Sequence, residues 1–288
     1  ASLNENGTAI IGVSVKGAFC FLKGFSMTHK IQKVVVKIGT SSLVLPNGKI
    51  NLRTIDQLSF VLATLNNQGY QLILVSSGAI GVGLASLGLT ERPAEIAQQQ
   101  ALASIGQAAL MRIYSQRFLD YQTHVAQLLL TRDVLTYPVS RQHTLNTINT
   151  LLQQNVIPIV NENDPVSVDE LDHYTTFSDN DELSSQVAVA IDADELIILS
   201  DIDALYDKDP HKFSDAQIIK EVPFLTPEIE NVASGSSTRF GTGGMVTKLR
   251  AAATMMQAGK QMILCNGRDP KILFDIFDGH TIGTHFGK

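Results

Sequence analysis

Two lysines lie beside clusters of small residues, where a lysine can meet a bound anion. Lys37 lies near the end of an apolar run that stops at Gly39, and Lys248 follows the segment GTGG at residues 241–244. Glycine lets the backbone approach a phosphate group, and a lysine ammonium group adds a full positive charge. Because phosphoryl transfer depends mainly on positioning and charge neutralisation, the two lysines predict a phosphate-handling site. For either lysine alone, the alternatives are a sheet-edge side chain and an ordinary turn.

The stretch 160–181 offers the acidic and amide groups that such a site needs. Its sequence, VNENDPVSVDELDHYTTFSDND, places Asn161 and Asp164 directly after a predicted strand and Asp181 at the start of a predicted helix. Ligands of open α/β sheets bind beyond the carboxyl ends of the strands, so polar residues at that edge are candidates for a binding site. An acid between two lysines would hold their ammonium groups in place, and Asp181 is the candidate. A solvated acidic loop is the alternative interpretation.

A third loop, the glycine-rich turn of Ser77-Gly78 with Gly81 and Gly83, follows the apolar run 72–75 and precedes a predicted helix. A strand, a glycine turn and a helix in this order are typical of ligand-binding loops. The chain lacks a dinucleotide fingerprint, because Ser86 stands where the third glycine should be, and it lacks the glycine two residues before Ser77 that a hydrolase nucleophile elbow requires. The spacing before Lys248 also departs from a P-loop.

Predicted strands alternate with predicted helices through most of the chain. The strands are consecutive apolar runs, which indicates burial on both faces and hence an α/β fold with a mostly parallel sheet covered by helices on both sides. In the long helix, the small face of Ala101, Ser104 and Gln107 predicts close helix packing or a subunit contact. The predicted strands are 34–38, 72–75, 125–130, 156–160, 196–199, 262–264 and 281–286, and the predicted helices are 51–68, 93–119, 141–153, 183–191 and 249–258.

The composition limits the partners that the chain can have. A formal net charge of -6 over 288 residues argues against nucleic acid or an anionic membrane as the main partner. Apolar runs fall well short of the ~20 residues needed to cross a bilayer. The two cysteines, Cys20 and Cys265, show no metal-ligand spacing. We therefore expect no metal held by protein ligands and a reduced compartment, the cytoplasm.

Residues 1–26 show neither a helical nor a strand period and are interpreted as a leader, either added or left from an upstream segment. Lys16 and Lys23 interrupt its apolar part, which argues against a signal peptide. Met27 precedes a much clearer pattern. Residues 27–288 are therefore expected to form a single domain.

Six motifs in one order resemble the amino acid kinase family over residues 31–286. The pair NEND and DND is much more specific than Lys-x-Gly or Asp-Pro, which occur across the family. The resemblance implies an αβα sandwich, with the phosphate acceptor bound over the N-terminal half and ATP towards the C-terminal half. The motifs are KIGTS at 37–41, VSSGA at 75–79, NEND at 161–164, DND at 179–181, SD at 200–201 with LY at 205–206 and DP at 209–210, and GTGGM at 241–245 with Lys248.

The resemblance also implies an activity. It is the ATP-dependent phosphorylation of the side-chain carboxylate of L-glutamate, the first step of proline biosynthesis. Lys37 and Lys248 would act catalytically by stabilising the transferring phosphate, and Asp181 would orient the two lysines. Mg²⁺ would accompany ATP and be held mainly through its phosphates.

Binding residues are implied in the same way. Ser77, Asp164 and Asn180 would bind L-glutamate, with the Asp164 carboxylate suited to the substrate ammonium group. Proline as a feedback inhibitor is implied by the family alone, and a homo-oligomer is expected. The residues implied for ATP binding are Lys37, Ser200, Asp201, Thr242, Gly243, Gly244, Met245, Val246, Thr247 and Lys248.

The sequence departs from the family pattern at several loops. Ser178 stands where glycine usually precedes DND, Ala204 stands where glycine is expected, and Ser200 replaces a threonine but keeps the hydroxyl. These changes bear on local loop geometry more than on function. Many members carry an additional C-terminal PUA domain. Because this sequence ends soon after His285, a form lacking that domain is predicted.

Two other functions fit parts of the pattern. The first is a sibling kinase on the same fold that acts on N-acetylglutamate, aspartate or a nucleotide. An acetylated acceptor has no ammonium group, so a functional requirement for Asp164 would count against it. The second is a non-catalytic ligand-binding protein, which the presence of both lysines and Asp181 disfavours.

Overall fold

The computed structural model describes residues 32–166, 179–210, 212–229 and 244–287. The predicted leader lies outside the described residues, as do Ser178, Thr242 and Gly243 of the sequence motifs.

The secondary structure alternates between strands and helices, as the apolar pattern predicts. The strands are β1 (Lys33–Ile38), β2 (Gln71–Ser76), β3 (Val125–Leu130), β4 (Ile157–Glu162), β5 (Glu195–Ser200), β6 (Leu205–Tyr206), β7 (Ile218–Ile219), β8 (Glu221–Val222), β9 (Gln261–Asn266) and β10 (Thr284–Phe286). The helices are α1 (Thr40–Leu43), α2 (Leu52–Asn67), α3 (Ala79–Leu87), α4 (Ile96–Asp120), α5 (Arg132–Thr136), α6 (Pro138–Gln153), α7 (Asn180–Ala190), α8 (Met245–Gln257) and α9 (Ile272–Phe277).

Among the described residues, eight strands form one sheet in the order β3-β4-β2-β1-β5-β9-β10-β8. The six strands from β3 to β9 pair in parallel, whereas β10 runs antiparallel to β9 and carries β8 at the edge. The mostly parallel sheet predicted from the sequence is therefore confirmed.

Side chains of the central strands are buried on both faces of the sheet. Val35 of β1 contributes to one hydrophobic cluster, with α6, α7 and α8, whereas its neighbours Val34 and Val36 contribute to the opposite cluster, with α2, α4 and α9. Alternate residues of a strand point to opposite faces, so an unbroken apolar run fills both layers. The αβα sandwich is confirmed.

Two of the differences from the sequence prediction concern the C-terminal part of the chain. Helix α8 begins at Met245, so Met245 to Lys248 form its first turn, whereas the prediction began this helix at Leu249. The last strand is limited to Thr284–Phe286 and reverses direction. None of the described helices is both long and apolar enough to cross a membrane.

Helices α3 and α4 pack at very short distance through glycines. A Cβ atom added to Gly106 would lie 1.8 Å from the carbonyl oxygen of Ala79, and one added to Gly83 would lie 2.1 Å from that of Leu102. Gly83 is thus a helix-packing residue rather than part of a ligand-binding turn. The face predicted for close packing of α4, Ala101, Ser104 and Gln107, is wrong in position: Ala101 and Ser104 are exposed, and Gly106 makes the close contact instead.

Gly106→Ala should destabilise the fold by about 2 kcal/mol or more, since overpacking a core typically costs ~1–3 kcal/mol and here the obstacle is backbone. Urea unfolding would measure the change. Ser104→Ala, on the exposed side of the same helix, is the control and should stay within about 0.5 kcal/mol of the parent chain. Equal stability of the two variants would contradict the packing argument.

Candidate active site

The candidate site lies at the carboxyl ends of the parallel strands, at the point where the order in which strands join the sheet reverses. From β1 the chain continues to β2 on one side, whereas β5 lies on the other side of β1 and leads on towards β9. Such a switch point opens a crevice in which ligands of α/β sheets bind. Lys37 lies near the carboxyl end of β1, paired in register with Val75 of β2 and Ile198 of β5.

Asp181 joins the two candidate lysines. Its Oδ1 lies 2.5 Å from Lys37 Nζ and its Oδ2 lies 3.1 Å from Lys248 Nζ. Asp181 is fully buried, and Lys37 and Lys248 are only 5% and 6% exposed. Lys37 belongs to β1, Asp181 to α7 and Lys248 to α8, and the two helices pack on the same face of the sheet. The predicted arrangement of an acid between two lysines is therefore present.

The ion pairs decide the charge state of this group. Burial alone would raise the pKa of Asp181, but the charges of Lys37 and Lys248 outweigh it and hold that pKa at about 2, below its usual 3.8. Burial likewise disfavours the charged form of Lys37, yet the charge of Asp181, aided by Asp179 and Asp201, raises the pKa of Lys37 above 10.5. At neutral pH, the Asp181 carboxylate and the Lys37 ammonium group are therefore both ionised.

The first turns of α7 and α8 hold Asp181 in position. Asp179 precedes α7 and accepts a hydrogen bond from the Asp181 backbone N–H at 3.3 Å, as an N-cap does. The Thr247 hydroxyl lies 2.9 Å from the Gly244 carbonyl oxygen, 3.0 Å from Asp181 Oδ2 and 3.3 Å from Asp179 Oδ2. Thr247 thus ties the start of α8 to the start of α7.

A second polar cluster lies next to this group, towards β2 and β4. Asn180 Nδ2 donates to Ser77 Oγ at 2.7 Å and to Asn161 Oδ1 at 3.2 Å. Asn161 Nδ2 in turn donates to Gln107 Oε1 of α4 at 2.9 Å. We call Ser77, Asn180, Asn161 and Gln107 the amide cluster.

The amide cluster leaves one acceptor without a donor. Asn180 Oδ1 is buried, and no described residue donates a hydrogen bond to it. A buried acceptor without a partner is costly, so this oxygen is suited to a hydrogen-bond donor on a ligand.

The other predicted residues lie at the same edge but make fewer contacts with these two groups. Asp164 follows β4 in a turn, and no described hydrogen bond joins it to Ser77 or Asn180. Burial raises the pKa of Asp164 to about 6, and the positive charge of Arg92 limits that rise. Ser200 ends β5 and donates to Asp201 Oδ1 at 3.1 Å.

The remaining predicted ATP-binding residues fall at the start of α8. Gly244 precedes the helix, Met245 and Thr247 are buried, and Val246 is exposed. The α8 N-terminus presents backbone N–H groups and a positive dipole end beside the lysines, which suits a phosphate.

Sequence reasoning missed Asn161, Gln107 and the linking role of Thr247. The motif NEND contains Asn161 but does not indicate its role, and the pattern of the long helix predicts Gln107 on a packing face. A glutamine among the buried positions of an Ala-rich helix was the available signal, since a buried amide needs a partner.

Comparison with known proteins places these residues in a family. Residues 32–266 match the model of the amino acid kinase family. A glutamate 5-kinase of Ligilactobacillus salivarius is 55% identical over 257 residues, which cover 89% of this chain and 96% of the relative. A glutamate 5-kinase of Lactococcus lactis is 54% identical over 264 residues, covering 90% of this chain and 98% of the relative.

Solved structures of lower identity share the fold. Isopentenyl phosphate kinase of T. acidophilum superposes with a TM-score of 0.60 at 14% identity, covering 88% of this chain and 99% of that one. Carbamate kinase from Giardia lamblia, bound to AMP-PNP, superposes with a TM-score of 0.60 at 19% identity, covering 89% and 99%.

Asp181→Asn should destabilise the chain by about 3–5 kcal/mol, because it leaves buried lysines without their counter-charge.

The stabilisation that Asp181 provides should also depend on pH in a defined direction. Because the folded pKa of about 2 lies below the usual 3.8, the contribution of Asp181 is complete above about pH 4 and is lost as the pH falls through 2. Urea unfolding between pH 7 and pH 3 would show a smaller acid-dependent loss in the variant.

Asp215→Asn is the matched control, because its pair with Lys208 is 2.7 Å long but the Asp215 side chain is 75% exposed. An exposed pair contributes at most about 1 kcal/mol. If the free energy of unfolding fell by the same small amount in both variants, the buried ion pairs of Asp181 would not stabilise the fold as argued.

Proposed function

This chain belongs to the amino acid kinase family, and we propose that it transfers the γ-phosphate of ATP to the side-chain carboxylate of L-glutamate. The products are L-glutamyl 5-phosphate and ADP, and the reaction is the first step of proline biosynthesis. The observation that carries the proposal is the buried Asp181 between Lys37 and Lys248 at the switch point of the sheet. Relatives called glutamate 5-kinase, 51–55% identical to the chain, support the choice of acceptor.

The chemistry requires charge neutralisation more than proton transfer. A glutamate side chain with a pKa of ~4.3 is ionised near neutrality, so its carboxylate can attack without a general base. One carboxylate oxygen forms a bond to the γ-phosphorus while the bond to the bridging oxygen of ADP breaks. Repulsion between the two anions is the main obstacle, and the ammonium groups of Lys37 and Lys248 offset it. Asp181 keeps both lysines in place.

The acceptor would bind on the side of β2 and β4. The Ser77 hydroxyl accepts a hydrogen bond from Asn180, which leaves its own proton for a substrate carboxylate. Asn180 Oδ1 supplies a buried acceptor for the substrate ammonium group. Asp164, at the end of the same edge, adds a negative charge suited to that ammonium group.

The nucleotide would bind over β5 and the start of α8. Ser200 ends β5 and Asp201 follows it, and Gly244 and the first turn of α8 contain the described part of the predicted segment Thr242 to Lys248. Carbamate kinase, a fold neighbour, has been solved with AMP-PNP bound, which supports a nucleotide as a ligand of this fold. Mg²⁺ would accompany ATP with most of its ligands from the phosphates, as it usually does. Asp201, whose charge acts on Lys37, is a carboxylate that fits such a complex, and the ion would supply further charge neutralisation.

The remaining expectations about partners and location rest on the sequence and on the family resemblance. They are a homo-oligomer, a cytoplasmic location, and proline as an inhibitor. Size measurement in solution and a proline titration of the activity would test the first and the third.

An assay that traps acyl phosphate with hydroxylamine tests the proposed function. ATP is supplied with L-glutamate, N-acetylglutamate or aspartate, and with UMP scored by ADP release. We expect hydroxamate from L-glutamate and at least tenfold less product from the others. Turnover with another acceptor alone would reassign the substrate, and ATP binding without any turnover would indicate a non-catalytic protein.

The KM for L-glutamate should rise as the pH falls below 6. Asp164 has a pKa of about 6, so it is charged above that pH and protonated below it, where it no longer attracts an ammonium group. Between pH 7 and pH 5 we expect an increase of about tenfold. The KM for ATP should change much less. Asp164→Asn should raise the KM for L-glutamate at pH 7 and remove its dependence on pH; a variant that kept the parental pH profile would contradict the role of Asp164.

A further inference from the structure

A single backbone group determines which atoms donate and which accept in the hydrogen bonds of the amide cluster. The N–H of Glu162 donates to Asn161 Oδ1 at 2.9 Å. A backbone N–H can only donate, so the Asn161 oxygen must face Glu162 and the Asn161 nitrogen must face the other way. That nitrogen points to Gln107, which must therefore present its oxygen, Oε1, 2.9 Å away.

The same constraint passes to the residues at the site. Since Asn161 Oδ1 is an acceptor, Asn180 must turn its Nδ2 towards it, and the second proton of Nδ2 goes to Ser77 Oγ. Both donors of the Asn180 amide are then engaged within the protein. Asn180 Oδ1 is left as an acceptor, and the Ser77 hydroxyl is left with a proton to donate.

Gln107 is held rigidly enough to act on this cluster. It is 6% exposed and follows Gly106, the residue whose lack of a side chain lets α4 approach α3 so closely. The backbone N–H of Glu162 anchors one end of the Asn161 amide and Gln107 anchors the other. Two anchors fix the plane of an amide, whereas one would let it rotate.

We propose that Gln107 is a positioning residue for the acceptor amino acid, which acts through Asn161 to hold the Asn180 amide with its oxygen, and the Ser77 hydroxyl with its proton, towards the bound substrate. This inference rests on the proposed function and explains how the site selects the amino acid that accepts the phosphate. The matching ligand offers a donor to Asn180 Oδ1 and an oxygen acceptor to Ser77. An α-amino acid carries both on one carbon, as an ammonium group and a carboxylate.

Gln107→Met tests the inference, because methionine has a similar volume but no oxygen to accept from Asn161. We expect the KM for L-glutamate to rise about tenfold, as expected for the loss of a buried hydrogen-bond partner. The kcat at saturating L-glutamate and the KM for ATP should stay within about twofold of the parent values, since neither lysine moves. An unchanged KM for L-glutamate in the folded variant would overturn the inference.

A deaminated analogue gives a readout that a purely structural role would not change. Glutarate lacks the ammonium group, so it cannot donate to Asn180 Oδ1, and the parent chain should bind it much more weakly than L-glutamate. If Gln107 fixes that oxygen, Gln107→Met should narrow the ratio of the two affinities, measured by competition. An unaltered ratio would contradict the inference.

Two variants serve as controls, and a third is a second test variant. Gln107→Glu restores an oxygen next to Asn161. Because burial favours the neutral carboxyl group, the KM for L-glutamate should return to within about threefold of the parent value; a KM as high as in Gln107→Met would count against the inference. Tyr114→Phe removes another buried hydrogen bond of α4, the one to Ser76 Oγ at 3.0 Å, and should lower stability without raising this KM. If Gln107→Met does not fold, Gln107→Asn, one methylene too short to reach Asn161, repeats the test.

The outcomes separate this inference from the proposed function. Absence of hydroxamate from the unmodified chain with L-glutamate would overturn the proposed function and the inference together. Normal turnover by the unmodified chain, combined with a parental KM in both Gln107→Met and Gln107→Asn, would overturn the inference alone. An equal rise in the KM values for L-glutamate and ATP would do the same, because it would indicate general loosening of the site.

Discussion

The site depends on keeping two lysines charged where water is largely excluded. An isolated ammonium group in such a place would lose its proton or prevent folding. Asp181 makes the arrangement stable by offering one oxygen to Lys37 and the other to Lys248. Asp179 and Asp201 also act on Lys37, but Asp181 is the carboxylate that contacts both ammonium groups, and each ammonium group has further protons to donate to an anion. A phosphate that enters the crevice therefore meets fixed positive charge, and little reorganisation is needed when charge develops during transfer.

The strand order explains how two different ligands can reach these lysines. β1 lies in the middle of the described sheet, with β2 and β4 on one side and β5 and β9 on the other. Ser77 follows β2 and Asn161 lies at the end of β4, and both belong to the amide cluster, whereas Asp201 follows β5. Lys37 lies between these two sets. Phosphoryl transfer requires the acceptor and the nucleotide to approach one point from opposite directions, and the central position of β1 provides that point.

Much of this could be predicted from the sequence because it depends on local patterns. The buried strands appear as unbroken apolar runs, and Lys37, Asp181 and Lys248 each stand at the end or start of such an element. The amide cluster could not be predicted in this way, because Gln107 and Asn161 are 54 residues apart and meet only through the packing of α4 on the sheet. The sequence predicts Gly83 in a ligand-binding turn, since a sequence does not show which glycines face another helix. It also predicts the start of α8 too late, because the small residues before it are typical of turns as well as of helix N-termini.

The two halves of the site are joined by consecutive residues. Successive residues of an α-helix point about 100° apart, so Asn180 and Asp181 at the start of α7 face different neighbours. Asn180 bonds to Ser77 and Asn161, whereas Asp181 pairs with Lys37 and Lys248. The first turn of α7 thus carries both the group suited to the amino acid and the group that orders the phosphate-binding lysines. A displacement of this turn would alter acceptor binding and lysine positions together.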